Sequence, residues 1–250
     1  MMADIAVFGA KRPFASIEQR WAYAVGAPYH VGHGHPIDGL PEAVEADGER
    51  AMLTRDWAID DRASLIEAMN HLGNEGHRHR LALKLRYYAM IWRPAVASMR
   101  EELRATIREG GDEAYEAAAN SWRLDAVQAD LPGIRSSSLL AFDAARGIML
   151  ARDGLMLGWI EEGEAWAYML EVARDVRRSY TSWAAFGADF VLSRNVWAGN
   201  GDPDVFDAVV ALLGRDAASP WRTLAWDAGD LSVPAPARTG ADLVWTLERR

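Results

Sequence analysis

The sequence predicts an all-α protein, folded as a single globular multi-helix domain with irregular N- and C-terminal segments. Two observations carry this prediction. Apolar residues recur with a period near 3.6 from position 60 to position 213, which is the spacing of one helix face. No stretch alternates between apolar and polar residues for long enough to build a sheet. We therefore expect helices through the centre of the chain and very little strand.

Three consecutive helices are predicted at the centre of the domain, spanning Ser136–Arg152, Glu161–Arg178 and Thr181–Trp197. The second and third carry an apolar stripe on one face. The first is apolar almost all round, which is typical of a helix buried on every side. We expect it to end at Arg152, because Asp153-Gly154 opens a turn that continues to Gly158.

The flanking segments divide the chain into three parts. Residues 1–55 are predicted as an N-terminal arm with short helices and a loop at Gly26–Pro41, which is rich in glycine, proline and histidine. Residues 56–226 form the helical domain, and residues 227–250 form a tail that packs on it.

Within the domain, Asp60 or Asp61 is expected to cap one helix. Asp202 is expected to cap another, with Pro203 at its first position.

Composition excludes several classes of function. The formal net charge is −9, from 27 basic and 36 acidic residues, so we predict no nucleic-acid partner and a basic protein as the preferred partner. Without cysteine there is neither a disulfide framework nor thiolate chemistry. No run approaches the ~20 apolar residues of a membrane span, and no signal peptide is visible. These features predict a cytoplasmic protein that does not bind membranes.

Eleven tryptophans are spread over the whole length of the chain. Tryptophan is enriched at interaction surfaces, but a large helical protein also uses it to fill its core, with the indole N–H hydrogen-bonded. The even spacing predicts core filling for most of them and exposure for a minority.

Charged residues on the apolar face of the first central helix are the main candidates for a functional site. Asp143 and Arg146 lie three residues apart, so they are neighbours on one helix face. Buried charges without partners would cost several kcal/mol, so the two must pair. Arg194, between Phe190 and Trp197, is in the same situation on the third helix.

Two interpretations of these charges stay open. They form either a buried structural ion network or the polar floor of a ligand pocket. The candidate residues for either are His77, Arg78, Asp143, Arg146, Trp183 and Arg194.

Metal binding has only weak candidates. His30, His33 and His35 fall within one short tract, and neutral imidazoles suit zinc, copper or nickel. The intervening glycines make that tract flexible, however, and no cysteine is available to complete a site. We therefore predict no bound metal, and the absence of a cofactor motif predicts no cofactor.

Several short motifs in a fixed order resemble a known family. They include Trp57-Ala-Ile-Asp-Asp-Arg, Phe142-Asp143-x-x-Arg146, Gly158-Trp159-Ile160, Tyr180-x-Ser182-Trp183 and Ser193-Arg194-x-x-Trp197. This order resembles the bacterial YbeU/YbeR-like family, a domain of unknown function, over positions 55–226. The resemblance implies a helical fold and no settled activity. The family has Trp-Asp where this chain has Phe142-Asp143, which keeps an aromatic ring but removes an N–H donor.

Two classes of function follow from these features. The first is a non-enzymatic binding protein, such as a toxin-neutralising or regulatory partner, which suits the acidic charge and the many tryptophans. The alternative is a hydrolase-like enzyme with a polar pocket formed by His77, Asp143, Arg146 and Arg194. No Gly-x-Ser-x-Gly or His-Glu-x-x-His motif supports the enzyme, so the sequence favours binding.

Overall fold

Helices account for almost all regular structure in the computed structural model, which describes residues 12–40 and 46–231. This confirms the predicted all-α fold. In chain order the helices are α1 (Ile17–Val25), α2 (Ala27–Gly32), α3 (Ala46–Trp57), α4 (Arg62–Asn74), α5 (Gly76–Met90), α6 (Arg93–Glu109), α7 (Asp112–Gln128), α8 (Leu140–Met156), α9 (Glu162–Ser179), α10 (Trp183–Ala198), α11 (Val205–Arg215) and α12 (Pro220–Thr223).

The strands in the described residues are two short segments, β1 (Arg12–Pro13) and β2 (Gly39–Leu40), which pair antiparallel. The described part of the chain contains no helix that is long and apolar enough to cross a membrane. Most of the predicted C-terminal tail and the start of the N-terminal arm lie outside the described residues.

Helix α8 is the central helix, as its sequence predicts. Every residue from Ala141 to Gly154 is buried, and α4, α9 and α10 surround the helix. The predicted end at Arg152 is wrong, because the helix continues to Met156. The glycine that suggested a turn is required instead by packing: a Cβ on Gly154 would lie 2.3 Å from Leu65 Cδ2.

Helices α1 and α2, which fall in the predicted N-terminal arm, contribute to the core. In α1, the residues from Trp21 to Val25 are buried, and the helix packs against α8 and α9. The prediction of a loop over Gly26–Pro41 is wrong at its start, where α2 forms. Pro28 stands in the first turn of α2, which tolerates proline, and contacts with α8 and α11 stabilise this short helix.

Two predicted helix starts have different outcomes. Asp61 caps α4, accepting a hydrogen bond from the Ser64 backbone N–H at 2.8 Å, so this prediction is confirmed. The predicted start of α11, with Asp202 as the cap and Pro203 as the first residue, is two residues too early. Asp204 caps it by accepting from the Phe206 N–H at 2.8 Å, while the Asp207 side chain accepts from the Asp204 N–H.

Four tryptophans form a cluster that joins α1, α10, α12 and the segment after α12. Trp183 stacks on Trp221 with ring centroids 5.8 Å apart, and it lies 4.7 Å from Trp21 and 5.0 Å from Trp226. The indole N–H groups of Trp21, Trp183 and Trp221 each donate to a backbone carbonyl at 2.9–3.0 Å. These residues fill the core as predicted, whereas Trp92 and Trp197 are exposed.

Gly187 of α10 provides the space for this cluster, and its replacement tests the packing. A Cβ there would lie 2.8 Å from Trp221 Cζ3 and 3.1 Å from Val210 Cγ1. We expect Gly187→Ala to lower the free energy of unfolding by about 1–2 kcal/mol, because overpacking outweighs the ~1 kcal/mol gained in helix propensity. Denaturant unfolding measures this. Gly163→Ala in α9, where no atom lies within 4 Å of the new Cβ, is the control and should not destabilise.

Candidate functional site

Asp143 is the centre of a buried ion network. It lies in the first turn of α8, facing the start of α5, and its side chain is almost completely shielded from solvent. Oδ2 accepts hydrogen bonds from the backbone N–H and from Nη1 of Arg78, both at 3.1 Å. Oδ1 accepts from Nη2 of Arg146. Both carboxylate oxygens are therefore occupied by donors from the protein.

Arg78 connects this carboxylate to the end of α4. Its guanidinium donates to the carbonyls of Leu72, Gly73 and Asn74 at 2.6–2.9 Å. These carbonyls belong to the last turn of α4, where helix geometry leaves such groups without partners and favours a cation. Arg78 thus caps α4 and pairs with Asp143 at the same time.

Gly76, the first residue of α5, allows this helix to approach Asp143 of α8 closely. Its φ is +58°, and a Cβ at this position would lie 1.9 Å from Oδ2 of Asp143. Glycine is required both for the backbone conformation and for the close approach of the carboxylate.

Aromatic rings surround Arg146, the second arginine of the network. Its guanidinium carbon lies 4.0 Å from the ring centroid of Phe142, 5.6 Å from that of Trp57 and 5.8 Å from that of Trp197. The residue is 3% exposed, and its Nε has no hydrogen-bond partner among the described residues. Cation–π contacts therefore supply part of the stabilisation that this charge would otherwise obtain from water.

His77 lies beside the network and is half-buried. Burial, together with the positive charge of Arg146, lowers the pKa of His77 from 6.5 to about 4. The imidazole is therefore neutral at pH 7. Its ring lies 5.8 Å from that of His71 and 6.3 Å from that of Trp197.

The other two candidate residues lie elsewhere. Arg194 forms an ion pair with Asp204 at the start of α11, and its guanidinium lies 5.0 Å from the Phe206 ring centroid. Trp183 belongs to the tryptophan cluster. The structure therefore gathers His77, Arg78, Asp143 and Arg146 at one place, whereas Arg194 pairs with Asp204 and Trp183 packs in the tryptophan cluster. Spacing along one helix cannot show which neighbouring helix a side chain will reach.

A second buried ion network, missed in the sequence, lies at the other end of α8. Arg152 donates from Nε to Oδ1 of Asp153 at 2.7 Å, and its Nη2 lies 3.5 Å from Oε1 of Glu49. Nε2 of His35 lies 2.6 Å from the same Glu49 oxygen. Burial raises the pKa of Asp153 to about 6 despite the adjacent Arg152. The signal in the sequence is the pair of neighbouring charges Arg152 and Asp153 at the end of an apolar helix. The turn predicted at Asp153-Gly154 placed Asp153 outside that helix.

The histidines proposed as weak metal candidates lie beside this second network. His30 is fully buried and stacks on Tyr23 with ring centroids 4.2 Å apart, and burial lowers its pKa well below the usual value. His35 forms an ion pair with Glu49, and His33 is exposed. Among the residues that the structure describes, no three histidine, aspartate or glutamate side chains converge to hold a metal ion.

A groove of about 430 Å³ opens at the start of α8, lined by serines, Tyr180 and Asp189. The Asp189 carboxylate accepts hydrogen bonds from the hydroxyls of Ser137 and Tyr180, and from Ser193 at 3.3 Å. The Ser137 hydroxyl also accepts from the Leu139 N–H at 2.9 Å. These contacts hold the segment that leads into α8 in place. Because it accepts these hydrogen bonds, the Asp189 carboxylate is already satisfied.

Comparison with known proteins agrees with the resemblance found in the motifs. A family model described as "Protein of unknown function (DUF1266)" matches residues 52–226. The uncharacterized protein YbeR of Escherichia coli strain K12 is 26% identical over 149 residues, which are 58% of this chain and 56% of that protein. The chain thus spans little more than half the length of this relative. No solved structure matches.

The contacts of Asp143 predict an asymmetry between its two arginine partners. We expect Asp143→Leu to lower the free energy of unfolding by about 3–5 kcal/mol, because it leaves the buried Arg146 and the partly buried Arg78 without their carboxylate. Arg146→Met should lower the free energy of unfolding by only about 1–2 kcal/mol, since Asp143 still accepts hydrogen bonds from Arg78. The double variant Asp143→Leu/Arg146→Met should recover only part of the loss, because Arg78 still lacks its partner. Denaturant unfolding distinguishes these values, and equal costs for the two single changes would contradict the network.

The low pKa of His77 predicts a loss of stability in mild acid. The unfolded chain takes up a proton on this residue near pH 6.5 and the folded chain only near pH 4, so stability falls as the pH drops between these values. Burial of His30 acts in the same direction and that of Asp153 in the opposite one. Only a comparison of variants therefore isolates His77.

We expect His77→Asn to lose less stability than the wild type between pH 7 and pH 4.5 in denaturant unfolding. His79→Asn, at an exposed position two residues further on, is the control and should follow the wild type. Identical pH dependence in all three proteins would show that His77 is not shielded from solvent.

Proposed function

The chain belongs to the DUF1266 family, and from this premise we propose that it works by binding another protein through the outer face of α5. The observation that carries the proposal is a stripe of exposed apolar side chains on that face: Leu83, Tyr87 and Met90, which are 52%, 53% and 77% exposed. Their spacing of four and three residues places them side by side on one helix face. Trp92, two residues further on, is 75% exposed.

The opposite face of the same helix is already used by the core. Leu81, Leu85 and Tyr88 are buried there. Helix α5 is thus apolar on two faces, and residues 12–40 and 46–231 cover only one of them. Single exposed apolar residues are common on protein surfaces, but a contiguous row marks a site of interaction. We call Leu83, Tyr87, Met90 and Trp92 the α5 stripe.

The residue types of the α5 stripe also suit an interface. Tyrosine, tryptophan and methionine are enriched at the centres of protein–protein interfaces, where they bury a large apolar area. Tyrosine and tryptophan are also enriched among the few interface residues whose truncation costs about 2 kcal/mol or more of binding energy.

The contacts of Asp143 do not favour the hydrolase alternative. Both oxygens of this carboxylate accept hydrogen bonds from Arg78 and Arg146, and the group is shielded from solvent. Arg194, the fourth member of the predicted pocket, pairs with Asp204 instead. A general acid or base must reach the proton that it transfers, and this network holds the Asp143 carboxylate away from solvent.

The proposed role is that of a toxin-neutralising or regulatory partner in the cytoplasm of a bacterium. The similarity to an E. coli protein and the absence of cysteine support this setting. A non-catalytic partner of this kind needs a rigid scaffold and an accessible surface, and the proposal assigns the first to the α8 core and the second to the α5 stripe.

The test compares capture from a lysate of the native bacterium by three proteins: the wild type, the triple variant Leu83→Gln/Tyr87→Gln/Met90→Gln, and the control Tyr115→Gln. Tyr115 is an exposed aromatic residue on α7. We expect quantitative mass spectrometry to find a protein captured by the wild type and the control but at least about tenfold less by the triple variant, a loss of ~1.4 kcal/mol. Circular dichroism verifies that all three are folded. Identical captured sets from the three would contradict the proposal.

A further inference from the structure

The charges around the α5 stripe indicate what kind of partner it binds. We infer that the occupant is an acidic amphipathic helix, whose apolar residues cover the stripe while its carboxylates meet arginines at the stripe's edges. This inference rests on the proposed function and adds the chemistry of the partner.

Three exposed arginines border the stripe. Arg80 and Arg86 lie three residues before and after Leu83, which places them about 60° to either side of it on the helix. Arg93 follows Trp92 directly. Among the described residues, none of the three has a carboxylate within ion-pair distance.

Arginines elsewhere on the surface commonly have such partners. Arg62 pairs with Glu164, Arg100 with Asp125, and Arg135 with Asp130. The chain as a whole is acidic, with a net charge of −9. Unpaired positive charge beside an exposed apolar stripe therefore contrasts with the acidic character of the chain as a whole.

The dimensions of the stripe match a helix. From Leu83 to Met90 it extends about 10 Å along α5, or two turns at ~1.5 Å per residue. A partner helix with apolar residues at i, i+4 and i+7 presents a row of the same length. Carboxylates beside that row would form charge-assisted hydrogen bonds with Arg80 and Arg86.

A second copy of this chain fits the stripe less well. Two-fold pairing brings the same surface of each copy together, so the arginines at the edges of one stripe would face those of the other. Such like charges oppose association. The same charges oppose the basic partner that the overall composition predicts.

An anionic membrane surface is also disfavoured. A membrane contacts a whole face of the protein, so acidic side chains of this chain, whose net charge is −9, come within the ~8–10 Å screening length of its anionic headgroups together with the arginines. A helix is only about 10–12 Å wide and experiences mainly the local field of the arginines.

The experiment measures binding of two synthetic helices to the full chain by fluorescence anisotropy. Both peptides carry leucine at i, i+4 and i+7; one has glutamates beside this row and the other has lysines. We expect the glutamate peptide to bind at least about tenfold more tightly, with an affinity that falls as salt is raised. The variant Arg80→Glu/Arg86→Glu should reverse the preference. Arg215→Glu/Arg222→Glu carries the same change in charge at exposed positions of α11 and α12, and it should retain the preference.

Several results would overturn the inference. Equal affinity for the two peptides, or a preference for the lysine peptide, would show that the arginines do not select an acidic partner. Sedimentation with phosphatidylserine vesicles in place of peptide binding would show that the stripe binds a membrane. Dimerisation that is abolished by the triple variant Leu83→Gln/Tyr87→Gln/Met90→Gln would show that a second copy of the chain occupies the stripe. If stripe-dependent capture from the lysate persists while the glutamate peptide fails to bind, the partner chemistry is wrong and the proposed function stands. If no captured protein depends on the stripe, the proposed function itself fails.

Discussion

The position of three helices depends on one buried carboxylate. Asp143 on α8 accepts hydrogen bonds from Arg78 on α5 and from Arg146 one turn further along α8, while Arg78 holds the last carbonyls of α4. A carboxylate at this depth is tolerated only because its donors replace water. The arrangement also needs Gly76, since any side chain there would occupy the position of the carboxylate. Asp143 thus fixes how α5 leaves α4 and where it crosses α8.

This constraint bears directly on the proposed binding surface. The network anchors the N-terminal turn of α5, and Leu81, Leu85 and Tyr88 pack the inner face of the helix further along. The residues between them are thereby directed outward, and the α5 stripe is held on a rigid element. Binding through a rigid helix face loses little conformational entropy, which favours affinity. In this proposal, the ion network around Asp143, which in the sequence is a candidate for a ligand pocket, positions an interaction surface.

Buried ion pairs also hold the opposite end of α8 in place. Arg152, Asp153, Glu49 and His35 form a second buried network, and His30 packs beside it against Tyr23. The tryptophan cluster then connects α1 to α10 and α12 through ring contacts and indole hydrogen bonds. Residues at the N-terminal side of the chain therefore complete a core whose central helix lies more than a hundred positions later.

The sequence by itself determined features that depend on residues close together in the chain. The 3.6-residue period predicted the helices, the spacing of Asp143 and Arg146 predicted a shared helix face, and Asp61 was recognisable as a cap. Only the tertiary structure decided which partners meet across the fold: Arg78 with Asp143, Arg194 with Asp204, and α2 against α11. The same holds for the exposed face of α5, whose apolar residues look like core residues in the sequence. The physical reason is that local periodicity shows which residues share a face, whereas the packing of distant segments decides whether that face is covered.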